Sequence, residues 1–489
     1  MTKKPNFLLL MTDQQRFDTL GCTGNEIINT PNIDNLAKNG VNFINAYTQA
    51  PACVPARQNL MTGRHAHDFP LMTNNGTFPD REVPTLPSLL RNQGYHTQAI
   101  GKMHFKPSRN HMGFDRMELS EENPDFRQDD EYLLFLKDQG YGDVEEPFGK
   151  RHKYHYDPQV APVPEEYHVT TWAADRTIEF LKNNRNRPFF CFTGFHKPHP
   201  AWAPPKPYHE IYDPDKLPLP DRSKSDREPL DDLLISENIS KRMRDPSDKK
   251  IRRVKSRYYG MITHIDEKIG QIVGTLERYC LRKNTVLIFT SDHGELLGDH
   301  YAWGKRCFYE GASHVPFIAS WPGMWPENEE RDQLISLYDI LPTILTLAGE
   351  NIPNKLAGAD LAPVIKDNTS SWRDQLYGEW GRGRKAKYMV RWDDWKYVFL
   401  VNGGREQLFN LREDPEELRN LASKKPDVCD TCKGKLARFF LKEGYNDALD
   451  GNNLLELEYE QLEFREPDTA YPDWPDNIPG ESRCENGRK

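Results

Sequence analysis

Three short stretches combine residue types and spacings that could carry out chemistry. Cys53 begins a C-x-P-x-R motif, in which a potential nucleophile precedes a cation. Asp13-Gln14 and Asp292-His293 each follow an apolar run that reads as a strand. Carboxylate and amide oxygens at strand ends suit a hard divalent cation, because ligands gather at the carboxyl ends of strands in open α/β sheets. Taken alone, Cys53 could equally be a buried small hydrophobe, and Asp292 could belong to a simple helix N-cap.

A second motif, GYHTQAIGKMH, spans residues 94–104 and ends in Lys102 and His104. Together with the motif at Cys53 it resembles the two signatures of the formylglycine-dependent (type I) sulfatases of the alkaline-phosphatase-like superfamily, and matching positions continue in order through most of residues 5–350. The resemblance implies that Cys53 is oxidised after translation to 3-oxoalanine, also called formylglycine. The hydrated aldehyde has two hydroxyls on one carbon: one attacks sulfur and the other later expels sulfate, which divides covalent catalysis into two easier steps.

The resemblance also implies a metal site. Its ligands would be Asp13, Gln14, Asp292 and His293, together with the modified residue 53. We expect one divalent cation, in the first place Ca²⁺, with Mn²⁺ or Mg²⁺ as alternatives. Many sulfatases have Asn where this chain has His293, and an imidazole ligand also permits Mn²⁺.

The other catalytic positions are implied by the same resemblance. Arg57 would hold the aldehyde hydrate, Lys102 would bind a sulfate oxygen, and His104 would act as a base on the hydroxyls. His196 and Lys305 would bind sulfate and protonate the leaving alcohol. These groups suit a transition state in which negative charge moves onto the leaving oxygen. A phosphatase with two zinc ions would need a second set of carboxylate and histidine ligands, where this chain has lysines.

We therefore expect hydrolysis of a sulfate monoester, on a sulfated mono- or oligosaccharide, to an alcohol and inorganic sulfate. The alternatives within the superfamily are a phosphonate monoesterase or phosphodiesterase and a choline-sulfatase-like enzyme, but Lys102 favours sulfate. A catalytically silent binding protein with the same fold is disfavoured, because Cys53, Arg57 and both pairs of metal ligands are retained.

Substrate contacts are expected from Asn75, His111, Trp303 and Arg382, since aromatic and arginine side chains suit a sugar ring with anionic groups. A solvated surface position is the alternative for each of them. The wider set of candidates comprises Arg64, His65, His67, Asn74, His199, Trp202, Tyr301, Trp380 and Arg384.

The composition indicates a soluble globular protein with extensive polar loops. The chain has 489 residues, of which 37% are hydrophobic and 28% charged, and its mean hydropathy is -0.80. A net charge of -9 offers no basic stripe for nucleic acid and no polybasic membrane patch. The eight cysteines are too sparse for a disulfide framework, and we expect the C-x-x-C pair Cys429 and Cys432 to be incidental.

The N-terminal apolar run at residues 7–11 is shorter than a signal-peptide core and reads as a buried strand. We therefore expect a cytoplasmic protein, or a periplasmic one if a signal peptide has been removed. The expected partners are a sulfated small molecule or oligosaccharide and a formylglycine-generating maturation enzyme, and a homo-oligomer stays open.

Apolar runs alternate with longer amphipathic stretches, which predicts an α/β fold with a mostly parallel sheet covered by helices on both faces. With the family resemblance, this becomes an alkaline-phosphatase-like sandwich in a catalytic domain over residues 1–367. Residues 368–489 are expected to form a smaller subdomain with a short antiparallel sheet and an extended tail. The predicted strands span residues 6–12, 41–47, 95–100, 189–195, 285–290, 315–321, 387–390, 395–401 and 406–410, and the predicted helices span 34–39, 53–62, 84–93, 166–183, 251–279 and 336–348. Residues 107–164 are expected to form surface loops and short helices, and residues 196–250 a long loop that is helical or mobile in part.

Overall fold

The computed structural model describes residues 4–69, 71–75, 78, 83–124, 126–151, 155–223 and 246–462. Most of the charged loop expected at 221–250, and the tail beyond residue 462, lie outside the described residues. Among the described residues, no helix combines the length and the apolar composition needed to cross a membrane.

A large sheet forms the centre of the structure. Its strands and those of a neighbouring small ladder are β1 (Asn6–Asp13), β2 (Val41–Phe43), β3 (Ala46–Tyr47), β4 (His96–Gly101), β5 (Arg116–Leu119), β6 (Phe189–Pro198), β7 (Thr285–Ser291), β8 (Phe317–Ser320), β9 (Glu329–Arg331) and β10 (Ile335–Ser336). Within the described residues the large sheet has eight strands in the order β5-β4-β6-β1-β7-β8-β2-β9. The pairs among β5, β4, β6, β1 and β7 are all parallel, so the carboxyl ends of these five strands meet at one edge.

The central strand β1 shows why the sequence forms this sheet. Its side chains are all buried, and they alternate between two cores: Leu8 and Leu10 face one, while Phe7, Leu9 and Met11 face the other. A strand that is covered on both faces needs apolar side chains at consecutive positions, which is the run that the sequence contains.

Helices cover both faces of the sheet. They are α1 (Pro31–Lys38), α2 (Cys53–Thr62), α3 (Leu86–Asn92), α4 (Glu131–Asp138), α5 (Val169–Asn183), α6 (Asp248–Arg278), α7 (Glu310–Ser313), α8 (Ile340–Ala348), α9 (Ala362–Lys366) and α10 (Pro426–Glu443). Residues of α1, α5 and α6 pack into one core, and residues of α2, α3 and α8 pack into the other. The predicted sandwich is confirmed.

A second, antiparallel sheet follows toward the C-terminus. Its strands, in spatial and chain order, are β11 (Gln375–Trp380), β12 (Lys387–Trp392), β13 (Trp395–Leu400) and β14 (Arg405–Asn410), and a short hairpin of β15 (Leu449–Asp450) and β16 (Asn453–Leu454) comes later. One face packs against α10, and the other contacts Tyr47, Ala52 and Phe308 of the preceding part of the chain. The predicted small sheet is confirmed, and the domain boundary after residue 367 stays a prediction.

Some elements differ from the sequence-based expectation. The single segment predicted at 41–47 is two short strands, β2 in the large sheet and β3 paired with β10. Strand β5 lies within the region expected to contain only surface loops and short helices, and it extends the large sheet at its edge. The helix predicted from residue 336 begins at Ile340, after a 3-10 turn that Ser336 and Asp339 cap reciprocally.

Candidate active site

The carboxyl ends of the parallel strands bring the chemical groups together. Asp13 is the last residue of β1, Lys102 follows β4 directly, His196 lies near the end of β6, and Asp292 follows β7. Cys53 is the first residue of α2. Residues far apart in sequence therefore meet at one edge of the sheet, as ligand sites do in open α/β folds.

The Cys53 thiol is surrounded by charged groups. Cys53 is 1% exposed, and its Sγ lies 3.0 Å from Lys305 Nζ and 3.2 Å from His293 Nε2. Burial raises the pKa of Cys53, but Lys305, Lys102, His293 and a hydrogen bond from His104 lower it well below its ordinary value. The sulfur lies where the oxygens of a modified residue 53 would lie. The cationic groups around it would therefore stabilise negative charge on those oxygens.

Four potential metal ligands converge beside this sulfur. Single ligand atoms of Asp13, Cys53, Asp292 and His293 all lie within 4.8 Å of one another, and all four residues are buried. The Nδ1 of His293 donates to the Gly294 carbonyl oxygen at 2.9 Å, so Nε2 is the ring nitrogen that faces the other ligands. Burial lowers the pKa of His293, but Asp292 and Cys53 raise it above its ordinary value, so a cation would bind in exchange for the Nε2 proton. Carboxylate oxygens with one imidazole fit a divalent cation.

The side-chain amide of Gln14 is oriented by a glutamate that the sequence reasoning missed. Gln14 Nε2 donates to the carboxylate of Glu295, while Gln14 Oε1 accepts from Lys305 Nζ at 2.5 Å. Glu295 Oε1 also accepts from the backbone N–H of Gly304 at 2.5 Å. Glu295 thus ties the Gln14 amide to the loop that carries Lys305. Glu295 directly follows the D-H-G sequence, and that position was the signal from which the sequence could have identified it.

Arg57 and Lys102 neutralise the two buried carboxylates. Arg57 Nε donates to Asp292 Oδ2 at 2.7 Å, and Lys102 Nζ lies 2.6 Å from Asp13 Oδ2. Burial and the Cys53 thiolate raise the pKa of Asp13, but Lys102, with His199 and Lys305, lowers it to about 2. Arg57 also donates to the Lys102 carbonyl oxygen at 2.5 Å, so in this structure the guanidinium holds the two motifs together.

The two predicted catalytic histidines have different surroundings. His104 has a positive φ of 55°, and its backbone N–H donates to Glu121 Oε1 at 2.8 Å. His196 is 1% exposed and stacks on Phe148, with ring centroids 4.3 Å apart. Burial, then Lys102 and Lys197, lower the pKa of His196 well below its ordinary value, which keeps the imidazole neutral.

A further carboxylate beside Lys102 was also missed. Glu122 Oε2 lies 3.5 Å from Lys102 Nζ and 3.7 Å from His199 Nε2, and Glu122 Oε1 lies 3.8 Å from Arg151. Nothing in the local sequence distinguishes Glu122 from the other acidic residues of this polar region, so only the fold reveals its position.

The predicted substrate residues lie in contrasting environments. Trp303 is fully buried and packs against Trp202 with ring centroids 5.6 Å apart, whereas Asn75, His111 and Arg382 are exposed. The neighbouring Asn74 is the asparagine that contacts α2: its Oδ1 accepts from the Val54 N–H at 3.1 Å. The roles of these residues stay predictions.

The fold and this site define a hydrolase of the alkaline-phosphatase-like superfamily. The sulfatase family model matches residues 5–350, and a model described as N-sulphoglucosamine sulphohydrolase, C-terminal, matches residues 298–439. Because the first match covers well over half of the chain, the chain belongs to the sulfatase family. It is a sulfuric ester hydrolase, and membership implies a metal ion and a formylglycine.

Individual proteins resemble this chain over nearly its whole length. An arylsulfatase of Clostridium perfringens is 32% identical over 491 residues, which cover 92% of this chain and 97% of that protein. An N-acetylglucosamine-6-O-sulfatase of Bacteroides thetaiotaomicron is 25% identical, covering 86% of this chain and 83% of that protein. The phosphonate monoester hydrolase of Agrobacterium radiobacter has a similar structure, with a TM-score of 0.79 and 25% identity, covering 90% of this chain and 96% of that chain.

Proposed function

We propose that this protein hydrolyses a sulfate monoester of a mono- or oligosaccharide to an alcohol and inorganic sulfate, with residue 53 as the source of the nucleophile. The observation that carries the proposal is the buried group in which Cys53 Sγ lies within about 3 Å of both Lys305 and His293. The saccharide class is supported by the likeness to an N-acetylglucosamine-6-O-sulfatase and to the C-terminal model of N-sulphoglucosamine sulphohydrolase.

The ion that we propose is Ca²⁺, with Mn²⁺ or Mg²⁺ as alternatives, held by Asp13, Gln14, Asp292, His293 and residue 53. Two carboxylates favour a hard cation, and the imidazole is the reason why Mn²⁺ stays open. When bound, the ion would supply positive charge to sulfate oxygens.

The surrounding side chains would bind sulfate and move protons. Lys102 and Lys305, both buried, would hold the sulfate oxygens and stabilise the charge that develops on them. Burial and the nearby lysines keep His196 neutral, but a bound anion would raise its pKa and let it carry the proton for the leaving alcohol. His104, which hydrogen bonds the Cys53 thiolate, is placed to take a proton from residue 53.

The maturation enzyme would have to act on the unfolded chain. Cys53 is 1% exposed, so an oxidising enzyme could not reach its sulfur once the sheet has formed.

Activity on matched substrates tests the proposal. Protein produced with a formylglycine-generating enzyme should hydrolyse nitrophenyl sulfate with a higher kcat/KM than the nitrophenyl ester of a phosphonate, and mass spectrometry should detect the aldehyde on the peptide that contains Cys53. A preference for the phosphonate would indicate a phosphonate monoester hydrolase, like the Agrobacterium enzyme, and would contradict the proposal. An unmodified thiol in fully active protein would refute the mechanism.

A further inference from the structure

In the part of the chain that the structure describes, two histidine–carboxylate clusters lie outside the metal group: His65, His67 and Glu379, and Glu122, His196 and His199. In each cluster, one ligand atom per residue lies within 4.8 Å of the others. An imidazole lone pair lies in the plane of its ring, so an ion bound by two histidines has to lie in both ring planes. The His65 and His67 rings are stacked, with planes 8° apart and centroids 5.1 Å apart, and stacked planes share no such position. That cluster is a packed ion pair.

The second cluster has the geometry that the first lacks. The ring planes of His196 and His199 are inclined at 75° and therefore intersect. We propose that Glu122, His196 and His199 form a second cation site, which takes a transition metal ion such as Zn²⁺, and that its occupation inhibits the enzyme. The inhibition rests on the proposed function, whereas the binding does not.

The two imidazoles are in the protonation state that a metal requires. His199 Nδ1 lies 2.6 Å from the Pro200 carbonyl oxygen, which assigns the proton to Nδ1 and leaves the Nε2 lone pair toward Glu122. Neither ring nitrogen of His196 has a hydrogen-bond partner among the described residues, although the ring is buried. Two neutral imidazoles and one carboxylate, with a fourth position open, form a set that Zn²⁺ commonly takes.

The segment that carries both histidines is held in place. Phe148 stacks on His196 with planes 13° apart, which fixes the plane of that ring. Lys197 Nζ donates to the Phe148 carbonyl oxygen at 2.9 Å and to the Ala201 carbonyl oxygen at 2.7 Å. These bonds connect the loop after His196 to the backbone at Phe148. Ligands on a fixed backbone need little reorganisation to bind an ion.

The charges around Glu122 argue for a reversible site. Its carboxylate accepts no hydrogen bond among the described residues, because Lys102 and Arg151 approach only to 3.5 Å and 3.8 Å. The carboxylate oxygens can therefore accept a cation, while the two neighbouring cations oppose it and lower its affinity. An ion bound to either ring nitrogen would prevent His196 from becoming the imidazolium that we expect to protonate the leaving alcohol, so binding would stop turnover.

Cobalt binding tests the site directly. Co²⁺ replaces Zn²⁺ in such sites and absorbs visible light when its coordination is four-fold. In protein saturated with Ca²⁺, we expect one Co²⁺ per chain, and we expect Glu122→Gln and His199→Gln each to weaken its binding by at least about tenfold. His65→Gln, from the stacked cluster, is the matched control and should bind Co²⁺ like the wild type.

Zinc inhibition gives the second readout. Each protein is compared with its own zinc-free rate on nitrophenyl sulfate, and the zinc concentration for half inhibition should rise at least about tenfold in Glu122→Gln. Absence of a Co²⁺ band, or a band lost in His65→Gln and kept in Glu122→Gln, would overturn the site. Equal zinc inhibition of wild type and Glu122→Gln would overturn the inhibitory role. If the protein hydrolyses no sulfate ester, the proposed function fails, and the cobalt titration still decides the cation site.

Discussion

Cys53 combines burial with a surplus of nearby cations, and this combination distinguishes it from a structural cysteine. Cys191 and Cys307 are buried as well, and burial raises the pKa of each thiol to about 12. Lys387 and Lys396 lower the pKa of Cys307, but less than burial raises it. At Cys53 the cations outweigh burial. The site is therefore built to stabilise an anion on residue 53.

Replacing Cys53 with alanine should abolish turnover and leave the fold intact. The alanine retains Cβ and removes only the atom from which the nucleophile would be made, so kcat should fall to background while the circular dichroism spectrum stays unchanged. Retention of more than a trace of activity on any substrate of the wild type would show that residue 53 is not the source of the nucleophile.

His196 and His104 should respond differently to the leaving group. If His196 protonates the leaving alcohol, His196→Ala should slow sugar sulfates much more than nitrophenyl sulfate, because nitrophenolate leaves without full protonation. His104→Ala should slow both substrates alike and trap sulfate on residue 53, which mass spectrometry detects as added mass. Identical leaving-group dependence in both variants, without a trapped adduct, would rule out this division of roles.

Glu295 should control metal affinity through Gln14. In Glu295→Gln the side chain can no longer accept from both Gln14 Nε2 and the Gly304 N–H, so the orientation of the Gln14 amide is less well fixed. We expect the Ca²⁺ concentration for half-maximal activity to rise by about 10–100-fold, with turnover restored by excess Ca²⁺. Calorimetric titration of the apoprotein should show the same loss. Glu118→Gln, at the sheet edge, is the control, and equal Ca²⁺ affinity in both variants would contradict the role.

At the scale of elements, the sequence predicted those strands and helices that are defined by their own local pattern of apolar residues. Continuous apolar runs identified β1 and β7, and each ended at the dipeptide that reaches the site. The short strands β2, β3 and β5 were missed or merged because they have only two to four residues and are defined by their pairing partners. Glu122 was missed for a related reason, since only the fold brings its side chain to the site, whereas the position of Glu295 directly after the D-H-G sequence was a usable signal.

The contact between β4 and β6 depends on a glycine. A Cβ at Gly194 would lie 2.1 Å from the Lys102 carbonyl oxygen and 3.0 Å from Arg57 Nη1. Gly194→Ala should therefore lower the free energy of unfolding by about 1–3 kcal/mol and reduce kcat, because the backbone of Lys102 and the guanidinium of Arg57 must both shift.

A glycine elsewhere provides the matched control for that variant. A Cβ at Gly274, within α6, meets nothing within 4 Å, so Gly274→Ala should be neutral or stabilise by up to about 1 kcal/mol. Urea denaturation of both variants measures the difference, and equal stabilities would show that the close approach at Gly194 is unimportant.

At the scale of the whole molecule, a buried ion pair connects the small sheet to the segment after α2. Glu379 lies on β11, and its Oε2 is 2.8 Å from Nδ1 of His67. Burial lowers the pKa of His67, but Glu379 raises it above its ordinary value of 6.5. Burial likewise raises the pKa of Glu379, and His67 lowers it below 4.5.

These shifts predict how the stabilising effect of the pair depends on pH. The raised pKa of His67 contributes stability that is complete below pH 6.5 and is lost as the pH rises through the folded-state value, while the lowered pKa of Glu379 contributes stability above pH 4.5 that is lost in stronger acid. The free energy of unfolding of the wild type should therefore exceed that of His67→Gln most between pH 4.5 and 6.5, and the difference should shrink at alkaline pH. Denaturation across this range measures it, with the exposed His111→Gln as the control. A difference that is constant with pH would mean that His67 stabilises the contact between the small sheet and the segment after α2 by packing alone, and not by charge. That packing includes its stacking on Tyr445, with ring centroids 4.8 Å apart.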